Sequence, residues 1–377
     1  MSIHIVIGKN FGDEGKGLAT DYFALRSLQR ERSCLVIRHN GGAQAGHTVD
    51  LRDRRFVFHE LSSGSFRHAD TYWSDTFLPD LFLLSDEAEA FCRTAGFVPN
   101  VFADVNARCT TIIDILINQA LESGRGDNRH GSCGMGIDET VRRSDAGYAV
   151  FLKDVLSLDL SGFTDRLMSI RKEYVPVRLA QLGIGHADLG GYDELLRDDN
   201  VICNWARKAH DNIRYIAPAS NDLLREYDDI VFEGAQGLLL DEMNKEYAPH
   251  LTTSRTGLTN PLRIIREVFP ESEKTAEAVY VTRSYVTRHG NGPLPNECEM
   301  FFADETNQPN EWQGTLRFAR HGDRSEFVRA MERDIADNGF SGRSTVFMTH
   351  LNEMECDHAA YYRSYSRYSE DVISDPV

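Results

Sequence analysis

The sequence predicts an α/β fold, a mostly parallel central sheet with flanking helices in a P-loop-like nucleotide-binding architecture with helical excursions. Three observations predict it. Short apolar, β-branched runs recur along the chain, each followed by a polar or glycine-bearing segment. Most of these runs are continuously apolar instead of alternating, the pattern of strands buried on both faces of a parallel sheet. A glycine-rich loop with a lysine, GKNFGDEGKG at Gly8 to Gly17, stands between the first such run and a stretch with helical spacing.

Taken in order, the predicted strands are Ile3–Ile7, Leu35–Ile37, Ile230–Phe232, Ala278–Val281 and Thr345–Met348. Helical spacing of apolar residues marks Leu18–Ala24, Thr110–Leu121 and Ser325–Ile335 as helices that would cover the sheet. Asp159–Asn204 is rich in Leu, Arg and Asp and reads as the middle of a helical excursion, about 105–225, within one large domain spanning 1–377. The tail from Tyr361 to Val377 is polar and Tyr/Ser-rich, which predicts a loosely held end.

Composition narrows the function classes. The 377 residues are 41% hydrophobic and 26% charged, ordinary for a globular protein with a large core. No apolar run approaches the roughly 20 residues that span a bilayer, and the N-terminus opens directly into a strand, so the expected compartment is the cytoplasm with no membrane partner. Seven cysteines form no CxxC pair and are odd in number, which suggests neither a zinc site nor a disulfide framework. A formal net charge of −17 opposes nonspecific attraction to nucleic acid, while small anionic substrates require locally gathered positive charge.

The first loop carries the most chemistry. At a strand-to-helix junction, backbone N–H groups and the positive helix end converge on anionic oxygens, and glycines let the main chain come close. Lys16 adds a point charge. The usual P-loop places Ser or Thr after that lysine to hold Mg²⁺, and here the position is Gly17. Asp13 is the candidate replacement, a carboxylate suited to a hard cation that shares phosphate oxygens. The competing reading is a glycine turn with a solvated Asp13-Glu14 pair.

A second loop, RHNGGAQAGHT from Arg38 to Thr48, surrounds Gln44 and His47 with glycine and alanine, so an imidazole is presented where a ligand can approach the backbone. A lone histidine in a loop is more often structural or simply exposed. FEGAQGLLLD, Phe232 to Asp241, repeats the pattern of a strand entering a glycine-flanked amide, Gln236. HLTTSRTG, His250 to Gly257, offers hydroxyls and Arg255. Basic segments at Arg129–Ser144 and Trp312–Arg320 offer guanidinium groups for phosphate or carboxylate ligands, with solvated surface charge as the alternative.

With those residues in view, the chain resembles adenylosuccinate synthetases, which join aspartate to a 6-oxopurine nucleotide. The matching segments are FGDEGKG at 11–17, GGAQAGHT at 41–48, HELSSG at 59–64, FEGAQG at 232–237 and RSYVTRHGNGPLPNE at 283–297. The resemblance implies a ligase that phosphorylates purine O6 with a nucleoside triphosphate and then displaces that phosphate with the amine of L-aspartate. It implies Asp13 as the base at N1, His47 as a stabiliser of charge at O6, and Lys16 as the cation on the transferring phosphoryl oxygens. Magnesium is the implied cofactor, on Asp13 and the Gly46 backbone oxygen. Donor binding falls on Gly12, Gly15, Lys16, Gly17, Gly46, His47, Thr48, Thr349 and Asn352. Acceptor binding falls on Asp13, Gln44, Ser132, Cys133, Gln236 and Thr252, with Arg142 or Arg143 lent across a homodimer to the 5′-phosphate. Thr315 and Arg317 lie near the expected aspartate-binding loop, where the spacing is altered.

Two departures bear on the substrates. A TKxD segment reads guanine in the family, and here the equivalent is THLN, Thr349 to Asn352. An amide in place of the carboxylate loses a doubly accepting contact and adds a donor, so ATP or dATP is expected as donor in preference to GTP. GSCGMG at 131–136 stands where the family has a GTTGRG-like segment. Both changes resemble the viral branch, which makes N6-succino-2-amino-2′-deoxyadenylate from dGMP. Retention of Asp13 keeps IMP as the alternative acceptor. A non-catalytic nucleotide-binding regulator is the alternative of another class, disfavoured by intact Asp13, Lys16 and His47.

Overall fold

The structure is a computed structural model describing residues 1–125, 133–302 and 314–375. Its strands in chain order are β1 (Ser2–Gly8), β2 (Cys34–Arg38), β3 (His47–Asp50), β4 (Arg55–Phe58), β5 (Asp70–Trp73), β6 (Val101–Asp104), β7 (Ile216–Ala219), β8 (Asp229–Glu233), β9 (Glu277–Arg283), β10 (Val286–Arg288), β11 (Arg317–Ala319), β12 (Arg343–Thr349), β13 (Tyr362–Arg363) and β14 (Ile373–Ser374). Among the described residues, ten of them form one sheet in the order β14-β13-β12-β9-β1-β8-β2-β5-β6-β7. Every pairing in it is parallel except β13 with β14.

The five predicted strands are the five contiguous strands β12-β9-β1-β8-β2. Side-chain alternation explains their continuous apolarity: Ile3, Ile5, Ile7, Leu35, Ile37, Ile230, Phe232, Ala278 and Tyr280 enter one core, and Val6, Val36, Val231, Val279 and Val281 enter the core on the opposite face. The helix α1 (Lys16–Gln29) supplies Ala19, Tyr22 and Phe23 to the valine face. On the isoleucine face, helix 259–268 supplies Leu262, Ile265 and Val268, and helix 324–338 supplies Phe327 and Met331.

Between β6 and β7 the chain runs through a series of helices. Its helices are α2 (Ile112–Arg125), α3 (Ile137–Arg143), α4 (Leu152–Ser157), α5 (Leu160–Leu182), α6 (Gly191–Arg197) and α7 (Asp199–Asn212), with Phe163, Leu167, Ile170, Tyr174, Ile202 and Trp205 in their shared core. No helix among the described residues is long and apolar enough to cross a membrane.

The tail corrects the expectation of a loosely held end. Tyr362 joins the sheet beside Phe347, Ser369 donates to the buried Asp21, and Arg67 bridges Asp21 and Glu370. The Tyr/Ser composition that suggests mobility instead supplies rings and hydroxyls that close the sheet edge and the back of α1.

Candidate active site

All five predicted strands deliver site residues from their carboxyl ends, where open parallel sheets collect ligands. Gly8 ends β1, Arg38 ends β2, Glu233 ends β8, Arg283 ends β9 and Thr349 ends β12. The loops beyond them line a cavity of about 1210 Å³.

The loop 9–15 folds around Glu14. This carboxylate is 1% exposed, accepts from the backbone N–H of Asn10 (2.6 Å) and Gly12 (3.1 Å), and pairs with Lys16 Nζ at 3.2 Å. The solvated Asp-Glu reading therefore fails for Glu14, which is the internal template of the loop. Three residues of the loop take positive φ: Gly12 (97°), Asp13 (60°) and Gly15 (96°). Asp13 is held in that strained region by its backbone carbonyl, which accepts from Arg283 Nε at 2.6 Å. Its carboxylate faces the cavity and lies 3.7 Å from His289 Nε2.

Gly17, where a P-loop hydroxyl would stand, abuts the hairpin β3–β4. A Cβ there would lie 2.7 Å from the Thr48 carbonyl oxygen. At Gly8 an added Cβ would overlap the Gln236 carbonyl and the Glu14 carboxylate and stand 3.0 Å from the Gly237 Cα. Gly8→Ala is expected to lower unfolding free energy by about 3 kcal/mol, because fixed backbone has to move. Gly124→Ala, in α2 with no atom near its new Cβ, should be neutral or stabilising. Denaturant midpoints of the two variants check this, and equal midpoints would contradict the close approach at Gly8.

His47 opens β3 and is buried. Its Nδ1 lies 2.7 Å from Glu233 Oε1, and Glu233 also accepts from the Ser63 N–H (3.2 Å) and hydroxyl, with Arg38 Nε 3.9 Å away. Burial opposes charge on this carboxyl, yet His47, Arg38 and Ser63 together hold it down to about 2. Burial lowers the His47 pKa and Glu233 opposes that shift. With Glu233 ionised, Nδ1 carries the proton and Nε2 is the ring nitrogen left for a ligand.

Gln44 and Gln236 share one wall. Both line the cavity, and both Gln44 amide atoms and the Gln236 carbonyl oxygen are shielded from water without a protein partner. Gln236 adopts φ 57°, a position that costs a non-glycine residue free energy and aims its side chain by backbone constraint. Buried amides left unpaired point to a ligand.

The remaining predicted residues divide. Gly12, Gly15, Gly46, Thr48, Thr252, Cys133, Arg142, Thr349 and Asn352 all line the cavity. Thr349 Oγ1 donates to the Glu14 carbonyl at 2.8 Å, tying β12 to the first loop. Burial pushes the Cys133 thiol up to about 11, so it is a neutral wall group. Ser132 lies outside the described residues. Arg143 is corrected: it is fully buried, pairs with Asp114 through two 2.8 Å bonds and donates to the Tyr148 and Cys109 carbonyls. It fastens α3 to α2 from a fully buried position with four of its five N–H donors engaged, which leaves Arg142, more than half exposed and beside Asp138, as the candidate. Arg317 is engaged by Glu297 and the Gly290 and Gly292 carbonyls, and neither it nor the exposed Thr315 lines the cavity.

Several site residues escaped the sequence reading. Glu14, Glu233, Arg283, Arg288 and His289 all stand inside quoted motifs, and a carboxylate ending a buried apolar strand was the available signal for Glu233. Charge is a further correction. Among the described residues Lys16 and seven arginines line the cavity, opposed by eight carboxylates. Phosphate would be drawn by local geometry, not by a net positive field.

Magnesium fits the donor set. Asp13 supplies a cavity-facing carboxylate, and Gly46, exposed on the wall, can supply only backbone oxygen. Among the described residues no group of three or more His, Cys, Asp or Glu is gathered for a metal. A hard cation that keeps waters and shares phosphate oxygens needs no such cage.

Fold and site together define an α/β protein whose parallel strands gather a glycine-rich loop, a lysine and two amides with unpaired polar atoms around one cavity. Residues 5–322 match the family model of adenylosuccinate synthetase, and the chain belongs to that family of C–N bond-forming ligases. It is similar to the adenylosuccinate synthetases of Acaryochloris marina (29% identity over 79% of this chain and 63% of that protein) and Picosynechococcus sp. (31%, over 79% and 64%). The matched stretch thus spans less than two thirds of those relatives. The fold is shared with fully ligated adenylosuccinate synthetase from Plasmodium falciparum (TM-score 0.68, 18% identity, 93% of this chain and 77% of that one). It is shared too with cyanophage S-2L succinoaminodeoxyadenylate synthetase bound to dGMP and dATP (TM-score 0.63, 16% identity, 100% and 96%).

Proposed function

We propose that the protein joins L-aspartate to carbon 6 of a 6-oxopurine nucleoside monophosphate, with dGMP as acceptor, ATP or dATP as donor and a homodimer as the active unit. The observation that carries the reading is one cavity lined by Asp13, Lys16 and His47 together with the unpartnered amides of Gln44 and Gln236.

Asp13 takes the proton from purine N1, and the electron pair moves to O6. That oxygen attacks the terminal phosphorus of the triphosphate, forming the O6–P bond as the bond to the diphosphate breaks. Lys16 and the loop N–H groups hold the transferring oxygens, and His47, in the imidazolium form that Glu233 favours, donates from Nε2 to the charge at O6. The amine of aspartate then attacks C6, loses a proton and expels inorganic phosphate. Magnesium, on Asp13 and the Gly46 carbonyl, would neutralise phosphate charge. The two glutamines hold the purine, and Arg142 reaches the 5′-phosphate of the other subunit's acceptor.

The choice of dGMP and an adenine donor rests on Asn352 in the cavity wall and on the fold likeness, at nearly full coverage of both chains, to an enzyme solved with dGMP and dATP. A second reading, IMP with GTP, is favoured by the names of the curated relatives and by Glu353, a carboxylate lining the cavity next to Asn352. Phosphate release with L-aspartate and each pairing of dGMP, GMP or IMP with ATP, dATP or GTP decides. The expected order puts dGMP with ATP or dATP first. A strong preference for IMP with GTP would replace this substrate assignment, and no turnover with any pair would favour a regulator.

A further inference from the structure

His289 follows β10 at the rim of the loop that reaches over Asp13. Its side chain is 11% exposed, its Nε2 stands 3.7 Å from Asp13 Oδ2, and its Nδ1 is shielded from water without a partner. At 3.7 Å the two groups are too far apart for a hydrogen bond to each other. They are close enough to receive two adjacent donors from a third body.

We propose that His289 is a specificity-determining residue that reads position 2 of the purine, selecting acceptors with a 2-amino group. The inference rests on the function proposed above, in which Asp13 accepts N1–H. On a guanine-type base the 2-amino N–H stands beside N1–H on the same edge. With Asp13 Oδ2 taken by N1–H, the neighbouring acceptor on this wall is His289 Nε2, in the tautomer that carries its proton on Nδ1. A hypoxanthine presents only C2–H there and leaves the nitrogen unpaired in a half-closed site. Such a mismatch is the kind that discriminates well, since a buried polar group loses its partner.

The same geometry admits a plainer role, in which the imidazole only holds the Asp13 carboxylate by charge. That role would affect every acceptor equally, because all of them carry N1–H. The difference between acceptors is therefore the readout.

The test measures kcat/KM for dGMP and for IMP, and their dissociation constants by calorimetry, in wild type, His289→Val and His289→Gln. In His289→Val the ratio of kcat/KM for dGMP to that for IMP should fall about tenfold, the loss of one hydrogen bond in a shielded site. His289→Gln can place an amide oxygen near the position of Nε2 and should restore part of the ratio, and it serves as the arm to read if the valine variant folds poorly. An equal loss on both acceptors, or an unchanged ratio, overturns the inference while leaving the ligase reading intact. Wild-type protein that binds and turns over IMP but does not bind dGMP also overturns it. Wild type that binds neither nucleotide removes the ligase reading itself.

Discussion

Asp13→Asn is expected to cut kcat by about 10³-fold while leaving the unfolding midpoint near that of wild type. Among residues other than glycine, asparagine is one of the best able to keep φ 60° at this position, and the backbone carbonyl it presents to Arg283 is unchanged. What disappears is the capacity to accept a proton. In the proposed reaction, purine O6 then stays a carbonyl oxygen, a poor nucleophile towards phosphorus. Asp13→Ala should lose as much activity, with some further change in stability because alanine is less at ease at positive φ. Steady-state kinetics beside denaturant melts separates the effects. A kcat within tenfold of wild type in Asp13→Asn would remove Asp13 from the role of base.

How much of this was legible in the sequence follows from burial. The central strands could be read because both faces are covered, so nearly every position of the runs is apolar and the pattern needs no partner to be seen. The outer strands were not legible, for the reverse reason. β6 alternates buried and half-buried positions, and β7 is only Ile216-Ala217-Pro218-Ala219, with two of its four residues exposed at the sheet edge. β13 is two residues long and exists through pairing with β12, information that lies elsewhere in the chain.

The site was legible where glycines mark close approach. Gly8, Gly17 and Gly237 are each pressed against backbone, so loops that were glycine-rich in sequence are loops that touch in space. The partners of charged residues were not legible. Arg142 and Arg143 are neighbours with similar surroundings in sequence, yet helical geometry turns Arg143 inward to Asp114 and leaves Arg142 outside. Glu14 looked like half of a solvated pair because sequence cannot show that two backbone N–H groups turn back on it.

Glu233 shows the largest consequence of such a hidden partner. Glu233→Gln is expected to lower kcat by about 10²-fold, comparable to losing one charged donor from a transition-state site. The carboxylate supports His47 in two ways. It accepts Nδ1–H and so fixes the ring, and its charge favours the imidazolium that the proposed reaction needs to donate from Nε2 as O6 gains negative charge. A neutral amide supplies no such charge. It also conflicts with its other neighbours, because Ser63 offers an N–H and a hydroxyl to Glu233, and an NH₂ in place of one oxygen sets donor against donor. The unfolding midpoint should therefore fall as well, unlike that of Asp13→Asn. Acceptor affinity should change much less than kcat, since Gln44 and Gln236 remain in place. Wild-type kcat in a folded Glu233→Gln protein would mean that His47 needs no anionic partner, and that its short contact with Glu233 serves only to anchor β3 against β8.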